Sequence, residues 1–204
     1  MIRNIIFDMG GVLLDYDPPR FIGHLGVSEE DKALLLREVF NSVEWFRLDH
    51  GTIEEKDAAD AMKARLPARL HGAVDQMLNW WELEVLPVEG MAELLAELKG
   101  LGYGLYLLSN ATVRQPEYFD RLPSAQYLDG RFVSAFYKLL KPQYAIYEAM
   151  LQKFDLKAEE CFFVDDSAAN VEGAYCVGIP GAVFDGDVFR LRRNLNAAGV
   201  PVKV

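Results

Sequence analysis

Arg3-Asn4-Ile5-Ile6-Phe7-Asp8-Met9-Gly10-Gly11-Val12-Leu13-Leu14-Asp15 is the stretch from which the fold can be read. Ile2 to Phe7 is rich in β-branched and aromatic residues, the composition of a short buried strand. The run ends on a carboxylate, Asp8, and Gly10 and Gly11 follow closely. In open α/β sheets, ligands bind beyond the carboxyl ends of the strands, so Asp8 stands where chemistry is done. The glycines let the backbone turn sharply and come close to a ligand. Taken by themselves, these residues would also serve as a helix cap and an ordinary turn. Three later segments repeat the pattern of an apolar strand followed by polar residues suited to phosphate, and that repetition favours a site.

Around this stretch lies a chain of 204 residues, enough for one sizeable core plus a smaller inserted unit. Its formal net charge of -10 argues against nucleic acid or an anionic membrane as the main partner. It leaves room for a locally positive phosphate pocket. No apolar run is long enough to span a bilayer. The first residues enter strand pattern at once, without a signal-peptide layout. The two cysteines, Cys161 and Cys176, lack a Cys or His neighbour at metal spacing and read as small core residues. A reduced, cytoplasmic enzyme is the expectation.

Tyr16-Asp17-Pro18-Pro19 reads as a turn. From there to Leu86 the pattern is helical. Ser28 starts one helix, with Glu29, Glu30 and Asp31 in its first turn. Thr52-Ile53-Glu54-Glu55 fits a capping box for a second, running toward Arg65 and stopped by Pro67. A third is expected over Leu70 to Trp81. His24, His50 and His71 share no ligand spacing and read as surface or core residues. Trp45, Trp80 and Trp81 read as packing residues of this insertion, with Trp45 also a candidate for a pocket wall.

Strand–helix alternation resumes at Pro87. Met91 to Leu101 has a helical apolar face, and Tyr103 to Leu108 is a strand leading into Ser109-Asn110. A short helix is expected over Gln115 to Leu122 and a strand over Phe132 to Ala135. A helix follows from Tyr144 to Phe154, then the strand Cys161 to Val164, ending in Asp165-Asp166. Ala168 to Val177 is helical, Ala182 to Phe184 a late strand, and Val188 to Ala198 the last helix. The fold class is therefore α/β: a Rossmann-like, mainly parallel sheet with helices on both faces. Residues 1–17 and 87–204 form its core, and 18–86 a small inserted α-helical unit that would cap the pocket.

Four polar sites fall at or just after strand ends: Asp8, Ser109-Asn110, Lys141-Pro142 and Asp165-Asp166. Parallel strands bring such ends to one edge. The residue types suit phosphoryl transfer. A carboxylate can attack phosphorus, a hydroxyl, an amide and an ammonium can hold phosphate oxygens, and further carboxylates can hold Mg2+. Lys138 competes with Lys141, but Pro142 and a helix start follow Lys141, so Lys138 reads as a solvated lysine. Adjacent acids at Asp165-Asp166 repel one another unless a cation lies nearby.

As a set, Asp8-Met9-Gly10-Gly11-Val12, Leu107-Leu108-Ser109-Asn110, Lys141-Pro142 and Phe163-Val164-Asp165-Asp166-Ser167-Ala168-Ala169-Asn170 resembles the haloacid dehalogenase superfamily of phosphatases. The resemblance covers nearly the whole chain. It implies that Asp8 is the nucleophile and, with Asp166 and the Gly10 carbonyl, a Mg2+ ligand. It implies that Ser109 and the Asn110 backbone bind the phosphate of a small phosphate ester, that Lys141 neutralises it, and that Asp165 and Asn170 lie close by.

One position departs from the family pattern. A second aspartate, the general acid and base, is usual two residues after the nucleophile, and here Gly10 stands there. Asp-x-Gly resembles a sub-branch that includes a glucose-1-phosphate phosphatase, and the anomeric oxygen of a sugar 1-phosphate leaves more easily than an ordinary alkoxide, so a missing acid would hurt less. Asp15 or Asp17 is a candidate replacement acid. The expected function is a Mg2+-dependent phosphomonoesterase acting on small metabolites such as sugar phosphates. The rivals are a phosphate-binding module with poor turnover and a 2-haloacid dehalogenase.

Overall fold

The computed structural model describes residues 1–204. Five strands, β1 (Asn4–Phe7), β2 (Gly104–Ser109), β3 (Gly130–Val133), β4 (Cys161–Asp165) and β5 (Gly181–Val183), form one sheet in the order β3-β2-β1-β4-β5. Every pairing is parallel, so all five carboxyl ends share one edge. β1 lies centrally, with Ile6 level with Tyr106 on one side and Phe163 on the other. Alternate residues face opposite ways. Ile5, Phe7, Leu105, Leu107, Phe162 and Val164 pack into one core with α6 (Met91–Gly100) and α11 (Val188–Ala197). Ile6, Leu108 and Phe163 pack on the other side with α9 (Tyr144–Phe154) and α10 (Ala168–Cys176). Both faces are thus covered, as a parallel sheet requires.

Between β1 and α6 the chain is helical: α1 (Pro18–Gly23), α2 (Glu29–Leu35), a π-turn over Leu36–Phe40, α3 (Val43–His50), α4 (Glu55–Ala64) and α5 (His71–Leu78). Its entry and exit run side by side, with Asp15 N–H donating to the Leu86 carbonyl (2.9 Å) and Val88 N–H to Leu13 (3.2 Å). The core on the β1 face continues into this segment through Phe21, Leu35, Met62 and Trp80. Beyond β2 come the short helices α7 (Gln115–Phe119) and α8 (Ser134–Tyr137).

Several local expectations change. Ser28 does cap α2, its Oγ accepting from Asp31 N–H at 3.2 Å. Thr52 forms no capping box: α4 starts at Glu55 with Glu54 as its N-cap, and the Thr52 hydroxyl turns back toward the Arg47 carbonyl. Pro18 and Pro19 open α1 where the sequence suggests a turn, because Asp17 caps it and proline suits the first helical positions. The expected helix over 70–81 is α5 flanked by two 3-10 turns. The third strand runs from 130 to 133, and Ser134 already begins α8. Cys161 is buried as expected, but Cys176 is exposed. No helix is long and apolar enough to cross a membrane.

Candidate active site

Lys141 lies under the carboxyl edge of the sheet, with its side chain almost wholly buried. Its Nζ is 2.7 Å from Asp8 Oδ1 and 2.7 Å from Asp165 Oδ2, and donates to the Leu108 carbonyl at 3.0 Å. The Asn110 side chain clamps the Lys141 backbone. Its Oδ1 accepts from Lys141 N–H (2.9 Å) and its Nδ2 donates to the Lys141 carbonyl (3.1 Å). Asp165 is fully buried and spends its oxygens on the protein. Oδ1 accepts from Ser167 N–H (2.8 Å) and Asn170 Nδ2 (3.0 Å), and Oδ2 faces Lys141. Tyr147 holds Asn170 from behind, its hydroxyl donating to the Asn170 carbonyl at 2.7 Å. Ser109, buried, is the last residue of β2.

Asp166 behaves differently from its neighbour. Its side chain reaches the pocket surface, close enough to Gly11 that a Cβ there would come within 2.4 Å of Asp166 Oδ2. Gly11 also has φ +71°, a conformation that costs other residues dearly. Oxygens of Asp8, Asp165 and Asp166 all lie within 4.8 Å of one another. Lys141 alone offsets three carboxylates, so this oxygen-rich, negative set fits a hard divalent cation. Asp8 and Asp166 offer the free oxygens, and Gly10 lines the same pocket.

The charges are tuned by that burial. Loss of water pushes the Asp8 carboxyl up to about 7, with Asp165 adding to the shift and Lys141 opposing it. Burial would lower the Lys141 ammonium, but Asp8 and Asp165 outweigh it and hold it above its ordinary value. Asp166 is raised by burial and by Asp165.

Above these groups is a cavity of about 250 Å³. Its floor is Asp8 to Gly11, Asn110 to Thr112 and Asp166, and its roof comes from the helical segment. Trp45, Leu48, Leu78, Trp80 and Trp81 form an apolar wall with Tyr16 and Tyr118. Trp80 stands edge-on to Tyr16 at 5.4 Å, and Trp81 stacks on Tyr118 at 5.1 Å. The tryptophans therefore both pack and line the cavity, a role the sequence suggests for Trp45 alone. Arg114 joins roof to floor: its Nη1 donates to Asn79 Oδ1 (2.6 Å) and Glu55 Oε1 (3.1 Å), and its guanidinium lies 4.7 Å above Trp81.

Asp15 and Asp17 are not brought to this cavity. Asp15 is paired with Arg20 at 2.7 Å, and Asp17 accepts from Arg20 N–H at the start of α1. The pocket carboxylates that sequence reasoning missed are Asp49, near the end of α3, and Glu55, at the start of α4. No helix is expected over 43–50 from the sequence, and only the folded arrangement brings Asp49 into the cavity with Asp8.

The model of the haloacid dehalogenase-like hydrolases matches residues 2–178. The chain belongs to the haloacid dehalogenase-like hydrolase family. A sesquiterpene phosphatase, astK of Aspergillus oryzae, is 34% identical over 185 residues, covering 88% of each chain. Among solved structures, a haloacid dehalogenase family enzyme of Bacteroides thetaiotaomicron, in complex with magnesium and inorganic phosphate, superposes with a TM-score of 0.72. It is 21% identical, and the match covers 94% of this chain and 99% of that one. The L-2-haloacid dehalogenase of Xanthobacter autotrophicus also shares the fold, with a TM-score of 0.69 at 18% identity, covering 99% and 85%. Fold alone therefore does not separate attack at phosphorus from attack at carbon within this hydrolase family.

Proposed function

We propose that this hydrolase is a Mg2+-dependent phosphomonoesterase that works through an aspartyl-phosphate on Asp8, on esters with an apolar body. The observation that carries the reading is the arrangement of Asp8 against Lys141 at 2.7 Å, beside the oxygen set of Asp8, Asp165 and Asp166. An Asp8 oxygen attacks phosphorus and the bond to the ester oxygen breaks. Lys141 orients Asp8 and offsets charge on the phosphoryl oxygens. Ser109 and the Asn110 backbone N–H receive those oxygens, since the Asn110 side chain is committed to Lys141. Water then hydrolyses the aspartyl-phosphate. A cation bound by Asp8, Asp166 and the Gly10 carbonyl would supply further charge neutralisation.

The aromatic wall supports the substrate class. Three tryptophans, two leucines and two tyrosines reward burial of hydrocarbon at roughly 25 cal/mol per Å². Away from Asp8, Asn110 and Asp166, the polar side chains of the cavity, Asp49, Glu55 and Thr112, are fewer than the apolar ones a hydrocarbon body would meet. The resemblance to a sesquiterpene phosphatase points the same way. The helical segment 18–86 acts as a cap that excludes water and selects the ester.

Phosphate release from farnesyl phosphate, a hexose 1-phosphate and p-nitrophenyl phosphate, with and without Mg2+, tests the reading. Hydrolysis should need Mg2+, vanish in Asp8→Asn and favour farnesyl over hexose phosphate in kcat/KM. Binding of phosphate with no turnover would make the chain a phosphate-binding module. Halide release from 2-chloropropionate in EDTA would make it a dehalogenase.

A further inference from the structure

The pocket has a nucleophile and a place for a cation, yet the position two residues beyond Asp8 carries no acid. A Cβ at Gly10 would meet only Tyr16, at an ordinary 3.6 Å, so space for a side chain exists there and is unused. Any proton for the leaving group has to come from elsewhere in the cavity. Asp15 and Asp17 are outside it, bound to Arg20 and the start of α1. Glu55 is held by Arg114 at 3.1 Å. Asp166 is on the cation side, against Gly11. Asp49 is left: it lines the cavity and feels the charge of Asp8, and its carboxyl enters no ion pair or hydrogen bond with the protein.

Resting on the phosphomonoesterase reading, the geometry points to Asp49 as the general acid and base of this enzyme, supplied by α3 in place of the missing side chain at Gly10. In the first step Asp8 forms a bond to phosphorus. The ester P–O bond breaks, and the leaving oxygen takes the proton of the Asp49 carboxyl. In the second step the Asp49 carboxylate takes a proton from water as its oxygen attacks phosphorus, and the Asp8–phosphorus bond breaks. The groups facing Asp49 suit this. Asp8 rises from the floor, Tyr16 follows the first strand, Tyr118 comes from α7, and Trp45 and Leu48 flank it on α3. No cation faces it, and removal of water with the charge of Asp8 pushes its carboxyl well above the ordinary carboxylate value, the direction a general acid needs.

The end of α3 is also fixed to the core. Ser134 Oγ donates to the Asp49 carbonyl at 2.5 Å, and His50 Nε2 lies 2.9 Å from the Lys138 carbonyl. Gly51 closes the helix at φ +68°, so near the Ala135 carbonyl that a Cβ would come within 2.2 Å of its oxygen. A residue that belongs to the helical segment is thereby registered against the sheet edge.

The test exploits leaving groups. Nitrophenolate leaves without a proton, whereas an alkoxide needs one. Asp49→Asn should lose about 10²-fold or more in kcat on farnesyl phosphate. On p-nitrophenyl phosphate it should give a rapid burst of about one nitrophenolate per active site, then slow turnover, because the second step lacks its base. Asp49→Ala should regain part of its farnesyl phosphate activity on addition of formate, which a variant damaged only in structure would not. Parent-like turnover of farnesyl phosphate by Asp49→Asn would overturn the assignment. So would equal losses on both esters with no burst and no rescue of Asp49→Ala by formate. If the parent protein itself released no phosphate under Mg2+, the phosphatase reading would fail first, whatever the variants did.

Discussion

Lys141 shows how individual residues set the chemistry. It is held between two carboxylates at 2.7 Å each, with almost no solvent to share the charge. Lys141→Ala should cut kcat by about 10²–10³, the usual cost of one transition-state donor. It should also destabilise the fold by about 3–5 kcal/mol above about pH 8, where Asp8 and Asp165 would both be charged, buried and unpaired. Urea titration should show that deficit shrinking toward acid pH, as protonation of Asp8 removes one of the uncompensated charges. Asp8 carries a second consequence. Its carboxyl is pushed from 3.8 to about 7 in the metal-free protein, so below that pH it is mostly neutral and a poor ligand. Mg2+ affinity should therefore rise about tenfold per pH unit up to about 7 and level off above it. Calorimetry between about pH 5.5 and 8.5 would check this, and a flat profile would contradict it. Asp15→Asn and Asp17→Asn should leave the pH–rate profile unmoved, since Arg20 and α1 already occupy both side chains.

At the scale of elements, the end of α3 matters most. Gly51→Ala would place a methyl group against the Ala135 carbonyl in a left-handed conformation. The conformation alone costs about 1–2 kcal/mol, and the clash would lift α3 from α8 and displace Asp49. Thermal melting should fall, and farnesyl phosphate turnover should fall further than p-nitrophenyl phosphate bursts do. The strands and the longer helices were legible in the sequence because their apolar periods are strong, as in Met91–Gly100 and Cys161–Asp165. Local signals that compete were harder to read. Pro18-Pro19 marks a turn and a helix start equally well, and Asp17 decides between them by capping. Thr52 has the right spacing for a capping box, but the chain is still closing α3 there, with Thr52 N–H donating to the Arg47 carbonyl at 2.9 Å. Cys176 reads as core because its neighbours do, and the helix turns it to solvent.

Across the whole molecule, the lower half of the site was readable residue by residue, whereas of the upper half only the helical insertion and Trp45 were. Asp8, Ser109, Asn110, Asp165 and Asp166 each sit at or beside a strand end, which a parallel sheet gathers by topology alone, whereas Lys141 lies beyond α8 and is held under that edge by the Asn110 side chain. The roof has no such rule. Asp49, Trp80 and Trp81 meet Tyr118 only through the packing of separate helices, and sequence spacing carries no trace of it. The Arg114 contacts to Asn79 and Glu55 tie these halves together. Arg114→Ala should therefore raise KM for farnesyl phosphate severalfold with a smaller effect on kcat, measurable in steady-state assays. The most direct test of the whole account is the covalent intermediate. Acid-quenched enzyme, caught during turnover of farnesyl phosphate with Mg2+ and digested, should carry the mass of one phosphoryl group on the peptide containing Asp8, and none in Asp8→Asn. Continued phosphate release by Asp8→Asn, or a parent that turns over with the Asp8 peptide never labelled, would contradict it.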